Sequence, residues 1–140
     1  MPETITSLIE KLEGAGKGGG ELSAHVIKAL LAPADAWVEQ SRFNGAWCVY
    51  ERREKPRLWG EYNPLKSAPV TTSIDAALAL AERVLPGVWW IAGRGKLRAS
   101  EAEYGAQLMF GEKPIGQGEG STAALSLCAA ILRAQSEARV

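Results

Sequence analysis

From Ala123 to Leu132 the only polar residue is Ser126. Alanine and leucine dominate the segment, and it follows a glycine-rich turn, so it reads as a helix over about 121–135. A helix that is apolar on every side must be surrounded by other elements. The segment therefore predicts a central helix, with Leu125, Cys128, Ile131 and Leu132 against a sheet and Leu127 largely buried. A chain of 140 residues, 46% of them apolar, is long enough to build such a core in one domain.

The other elements follow from periodicity. Ile5, Leu8, Ile9 and Leu12 fall on one face of a helix over 3–13, ended by Gly14. Residues 14–20, GAGKGGG, read as a flexible joint. The chain thus divides into an N-terminal helix and linker (1–20) and a single α+β domain (21–140). A second helix over 21–31 has Leu22, Val26, Ala29 and Leu30 on its buried face and stops at Pro33. The stretch 34–45 is ambiguous. AWCVYE (46–51) and RLWGEY (57–62) have strand composition and flank the charged turn RREKP, which suggests a hairpin. A third helix starts near residue 72. Thr72 and Asp75 have capping-box spacing, Ser73 is an alternative cap, and Ile74, Ala77, Leu78, Ala81 and Leu85 line one face.

After Pro86-Gly87, VWWI (88–91) reads as a strand buried on both faces. YGAQLMF (104–110) is its partner, with a short third strand over 114–117. Because Trp89 and Trp90 are adjacent, they point to opposite faces. Burying both requires a second layer, which the first two helices would supply. The order α-α-β-β-α-β-β-(β)-α favours an α+β fold, an α-β-α layered sandwich with antiparallel hairpins. Each half begins with a helix and continues into a tryptophan-rich hairpin, the outline of a weak internal repeat.

Charge and composition exclude several classes. The 16 basic and 16 acidic residues cancel, which argues against non-specific nucleic-acid binding. No apolar run reaches the roughly 18 residues of a membrane span, and no signal peptide is readable. Cys48 and Cys128 read as buried free thiols in a cytoplasmic setting, with a disulfide as the other reading. One histidine and two cysteines are too few for zinc. His25, on the second helix, reads as a packing or surface residue.

Nothing in the sequence forms a nucleophile, base and oxyanion arrangement. No catalytic residue, cofactor-binding residue or metal ligand is expected, and the chain reads as no enzyme. Gly14, Gly16 and Gly19 fit GxGxxG literally, but a helix precedes them where a dinucleotide site needs a strand. Gly116, Gly118 and Gly120 before the last helix read as a structural turn, or else as an anion site, which Glu119 would oppose. The candidate interface residues are basic and aromatic. Arg52, Arg53, Lys55, Arg57 and Trp59 cluster at the first hairpin, and Arg94, Lys96 and Arg98 alternate after the second tryptophan strand. A solvated edge, a protein interface and a nucleic-acid surface all remain open for them.

ITSLIEKLE (5–13), Glu21-Leu22, TTSIDAALALAE (71–82) and GEGSTAALSLCAAILRA (118–134) resemble a family of small phage and prophage proteins, the phage ABA sandwich domain. Residues 34–66 depart from its shorter members and read as an insertion. The resemblance implies an α-β-α layered fold and assigns no activity or catalytic residue. A second resemblance is topological. Helix, three strands and helix is the order of a double-stranded RNA-binding domain, but the lysine cluster that opens that family's last helix is replaced here by Ser121-Thr122-Ala123-Ala124. The leading expectation is a non-enzymatic protein-binding module of a phage or prophage in the bacterial cytoplasm. Its partner would be a host or phage protein, and inhibition of a defence complex such as a CRISPR effector is the sharpest form. Nucleic-acid binding through the basic strand residues is the alternative.

Overall fold

The computed structural model describes residues 5–32, 35–41, 45–51, 57–58, 68–94 and 103–138. Two helices, α1 (Ile5–Gly14) and α2 (Gly20–Leu31), lead into a three-stranded antiparallel sheet of β1 (Trp37–Gln40), β2 (Trp47–Glu51) and β3 (Arg57–Leu58). Helix α3 (Ile74–Val84) follows. A second antiparallel sheet contains β4 (Trp89–Arg94), β5 (Tyr104–Phe110) and β6 (Lys113–Gly120), and α4 (Ala123–Ala138) comes last. The fold is mixed α+β with two antiparallel sheets, the sandwich class that the pattern predicts.

Helix α4 is the centre. Leu125, Leu127, Cys128, Ile131 and Leu132 are all fully buried. One side of α4 packs on β6 and β5, while α1, α3 and α2 pack around the rest. Its first turn is held by the Thr122 hydroxyl, which accepts from the Leu125 amide at 3.2 Å. Helix α2 in turn covers β1 and β2, with Val26, Ile27 and Val49 fully buried in one continuous core. Both halves contain a helix followed by a three-stranded meander. The first meander packs on the helix before it, the second on the helix after it.

Three local departures from the sequence reading have physical causes. Strand β1 lies in the ambiguous stretch because Trp37-Val38-Glu39-Gln40 does not alternate. It is a strand through its pairing with β2, which sets Trp37 opposite Tyr50 with rings stacked 6.0 Å apart. Helix α3 starts at Ile74 with Ser73 as its cap, the Ser73 hydroxyl accepting from the Ala76 amide at 3.2 Å. Its buried residues are Ala77, Leu80 and Ala81, whereas Ile74 is exposed. The period allows two overlapping faces, and contact with α4 selects the one through Leu80.

The third departure is β6, which extends through Gly120, so Gly116, Gly118 and Gly120 stand in a strand rather than a turn. They are spaced by two and share one face. That face lies directly on α4. A Cβ at Gly118 would overlap the Ser126 carbonyl and sit 2.8 Å from the Ala129 Cβ, and one at Gly116 would sit 2.9 Å from the Ala134 Cβ. Glycine and alanine bring strand and helix backbones together here, which accounts for the alanines between the leucines of α4.

The glycine-rich segment 14–20 is also no free joint. Gly18 lies against the Thr71 backbone, leaving no room for a side chain. The Thr71 hydroxyl accepts from the Gly19 amide at 3.0 Å and donates to the Gly19 carbonyl at 3.0 Å. It also meets the Ser23 hydroxyl at 2.7 Å, and Ser23 accepts from the Thr71 amide at 3.1 Å. Thr71 and Ser23 are buried. Helix α1 is held as well. The Arg133 guanidinium makes a bidentate pair with the Glu13 carboxylate, at 2.6 and 2.7 Å.

Candidate functional site

The second sheet has two edges, and among the described residues only one of them is covered. Along β6, Arg133 donates to the Gln117 carbonyl at 2.9 Å and Glu13 accepts from the Glu119 amide at 3.0 Å. The ion pair between α1 and α4 thus satisfies strand groups that point away from β5. Along β4, the opposite edge, no described strand pairs. An open edge of this kind is a ready template for another strand.

Apolar surface gathers at the same place. Trp89, Trp90, Ile91 and Phe110 are 46%, 43%, 51% and 61% exposed. The expectation that both tryptophans are buried is therefore wrong, and the layering shows why. Helix α4 covers β6 and β5 and reaches β4 only at its margin, while α1 and α2 pack on α4 and the first sheet. They supply no second layer over β4. Trp89, Ile91 and Gly93 point to the face away from α4, beside Met109 and Gln107 of β5. Trp90, Ala92 and Arg94 point to the other face. There Trp90 borders a shallow cleft of about 180 Å³ lined by Leu78, Ala81, Glu82, Val88 and Trp89. The Trp89 indole donates to the Gly111 carbonyl at 2.8 Å, which fixes its ring while leaving a large apolar area in water.

Of the basic candidates, Arg94 is exposed at the end of β4, next to this surface. Arg57 opens β3, where its Cα lies opposite Glu51. Arg52, Arg53, Lys55, Trp59, Lys96 and Arg98 lie outside the described residues. Sequence reasoning missed Trp89, Trp90, Ile91 and Phe110 as surface residues. Their composition signals a core strand, and they are exposed because no described element lies over them.

Other features carry little chemistry. A hollow of about 290 Å³ between α2 and β2 is lined by small and apolar residues such as Gly20, Ala24, Ala46 and Trp47. Among the described residues no cluster of three or more His, Cys, Asp or Glu is arranged to hold a metal ion, and no helix is long and apolar enough to cross a membrane. Cys48 and Cys128 are free thiols. Burial pushes the Cys128 thiol up to about 12, and it donates to the Val70 carbonyl at 3.1 Å. A protonated, enclosed thiol is no nucleophile. Compared with family models, curated proteins and solved structures, the chain matches none.

Proposed function

We propose that this chain is a non-enzymatic protein-binding module of a phage or prophage, acting in the bacterial cytoplasm through the β4 end of its second sheet. The observation that carries this reading is the exposure of large apolar side chains on both faces of the β4 edge, Trp89 and Ile91 on one and Trp90 on the other, with Phe110 at the end of β5. Large apolar side chains exposed to water, with an arginine beside them, are what interface centres are made of. The resemblance to the phage ABA sandwich domain supports the phage setting, with a host protein as partner and an anti-phage defence complex such as a CRISPR effector as its sharpest form. The test measures binding to a purified defence complex and rescue of phage growth in a host that carries it. Phe110→Ala and Trp89→Ala should each weaken binding at least tenfold while the circular dichroism spectrum is unchanged. Full binding by the double variant would remove this surface from the function.

The helix–three-strand–helix order from α3 to α4 favours nucleic acid as a second reading, with Arg94, Lys96 and Arg98 as the phosphate contacts. That reading requires binding which falls steeply with salt and disappears in the triple alanine variant. A mobility shift absent at low salt sinks it.

A further inference from the structure

We propose that β4 pairs with β4 of a second copy, antiparallel about a two-fold axis through Ile91, joining two second sheets into one sheet of six strands. This goes beyond the reading above, because it needs no foreign partner; a foreign partner on the same strand would bind by displacing the second copy.

The two edges of the second sheet differ, and the difference is the starting point. The β6 edge is closed by Glu13 and Arg133. Among the described residues, the β4 edge carries none of the devices that usually protect an edge. Its sequence, WWIAGR, has no proline and no charge before Arg94, and its regular pairing with β5 from Trp89 to Arg94 contains no bulge.

The same sequence is complementary to itself. A two-fold axis perpendicular to the sheet keeps like faces together, and directly opposite side chains then share a face. Centred on Ile91, this register sets Trp89 opposite Gly93 of the second copy and Trp90 opposite Ala92 of the second copy. Each large ring meets a small residue. Gly93 has open space where a side chain would stand and no left-handed backbone, so nothing obstructs the approach of the strand that carries Trp89, whose ring stays bonded to the Gly111 carbonyl of its own copy. Ile91, 51% exposed, meets its own copy.

Charge agrees with shape. In this register Arg94 stands opposite Val88 of the second copy, on the face that Trp90 shares. Val88, Trp90 and Glu82 line one cleft. Each Arg94 therefore enters the cleft of its neighbour, near the Glu82 carboxylate and beside the Trp90 ring, where ion pairing and cation–π attraction act together. The contact is isologous and closes on itself, so it yields a dimer rather than a fibre.

The test uses the purified full chain and sedimentation or light scattering. The wild type should show twice the monomer mass at high micromolar concentration. Ile91→Glu and Ile91→Lys each place like charges against each other at the axis, and each should be monomeric. Mixed in equal amounts, they should return to the dimer mass. Ile91→Cys should form an intermolecular disulfide under mild oxidation, since directly opposite strand residues lie about 4.5–5.5 Å apart, within disulfide reach. Phe110→Cys should not. A wild type still monomeric at low millimolar concentration overturns the proposal and leaves the edge to a foreign strand. A dimer that survives Ile91→Glu, or a mixture that stays monomeric, overturns the register. Because each measurement uses the protein alone, its failure is distinct from a failure to bind a defence complex.

Discussion

Thr71 shows how much one small side chain holds. Its hydroxyl meets both backbone groups of Gly19 and the hydroxyl of Ser23, all around a buried junction. Thr71→Val keeps the shape and removes these partners, stranding the Gly19 amide. It should cost about 1–3 kcal/mol in chemical denaturation, the usual penalty for an unsatisfied buried polar group. Thr71→Ser should recover most of that. Cys128 makes a prediction about pH. Its thiol is raised in the folded chain to about 12, from an ordinary value of 9.0. The unfolded chain therefore loses this proton first as pH rises. The contribution is complete below pH 9 and is lost progressively between pH 9 and about 12. Cys128→Ala should flatten the fall in stability over that window. The native thiol should resist alkylation at pH 8 unless the chain unfolds. The sequence alone shows an apolar neighbourhood for Cys128, but the Val70 carbonyl that accepts from it comes from a distant loop.

At the scale of elements, legibility depended on whether a segment explains itself. Helix α4 was readable because apolar residues all round leave one solution. Leu132→Ala should cost about 2–5 kcal/mol by thermal or chemical unfolding, the range for emptying a core site. The seam between α4 and β6 was not readable. Gly116, Gly118 and Gly120 look like a turn until the helix that lies on them is known. Gly118→Ala adds one methyl group where the Ser126 carbonyl and Ala129 already stand. It should destabilise the protein by about 1–3 kcal/mol or more, as overpacked cores do, whereas Gly16→Ala, which meets nothing within 4 Å, should be close to neutral. In α3 the hydrophobic period fits two faces, and packing on α4 buries the one through Leu80 rather than the one through Ile74. In β4 the strand itself was legible and its burial was not, because whether VWWI lies under a second layer is a property of its neighbours.

For the whole molecule, the pair between Glu13 and Arg133 spans 120 positions and ties the first helix to the last. It is partly exposed, at 27% and 19% of the two side chains, so solvent weakens its Coulomb term. Its hydrogen bonds to the β6 edge matter more than its charge. Glu13→Gln keeps an acceptor for the Glu119 amide but loses the bidentate charged fork. It should cost about 1–2 kcal/mol, less than Glu13→Ala, with the difference read from urea midpoints. The composition of 14–20 reads as a flexible joint. Composition reports what glycine allows, whereas Thr71, Ser23 and Arg133 decide what it does.

The place of α4 at the centre has a bearing on synthesis. It follows every strand and helix that packs on it, so on the ribosome the glycine face of β6 and the inner faces of α1 and α3 emerge before the element that covers them. Until residues 123–138 leave the exit tunnel, the growing chain holds apolar surface with nothing to dry it, a state that chaperones recognise and that aggregates readily. The core around α4 should then form only once that helix has emerged, which protease protection of β5 and β6 on stalled nascent chains would register as late.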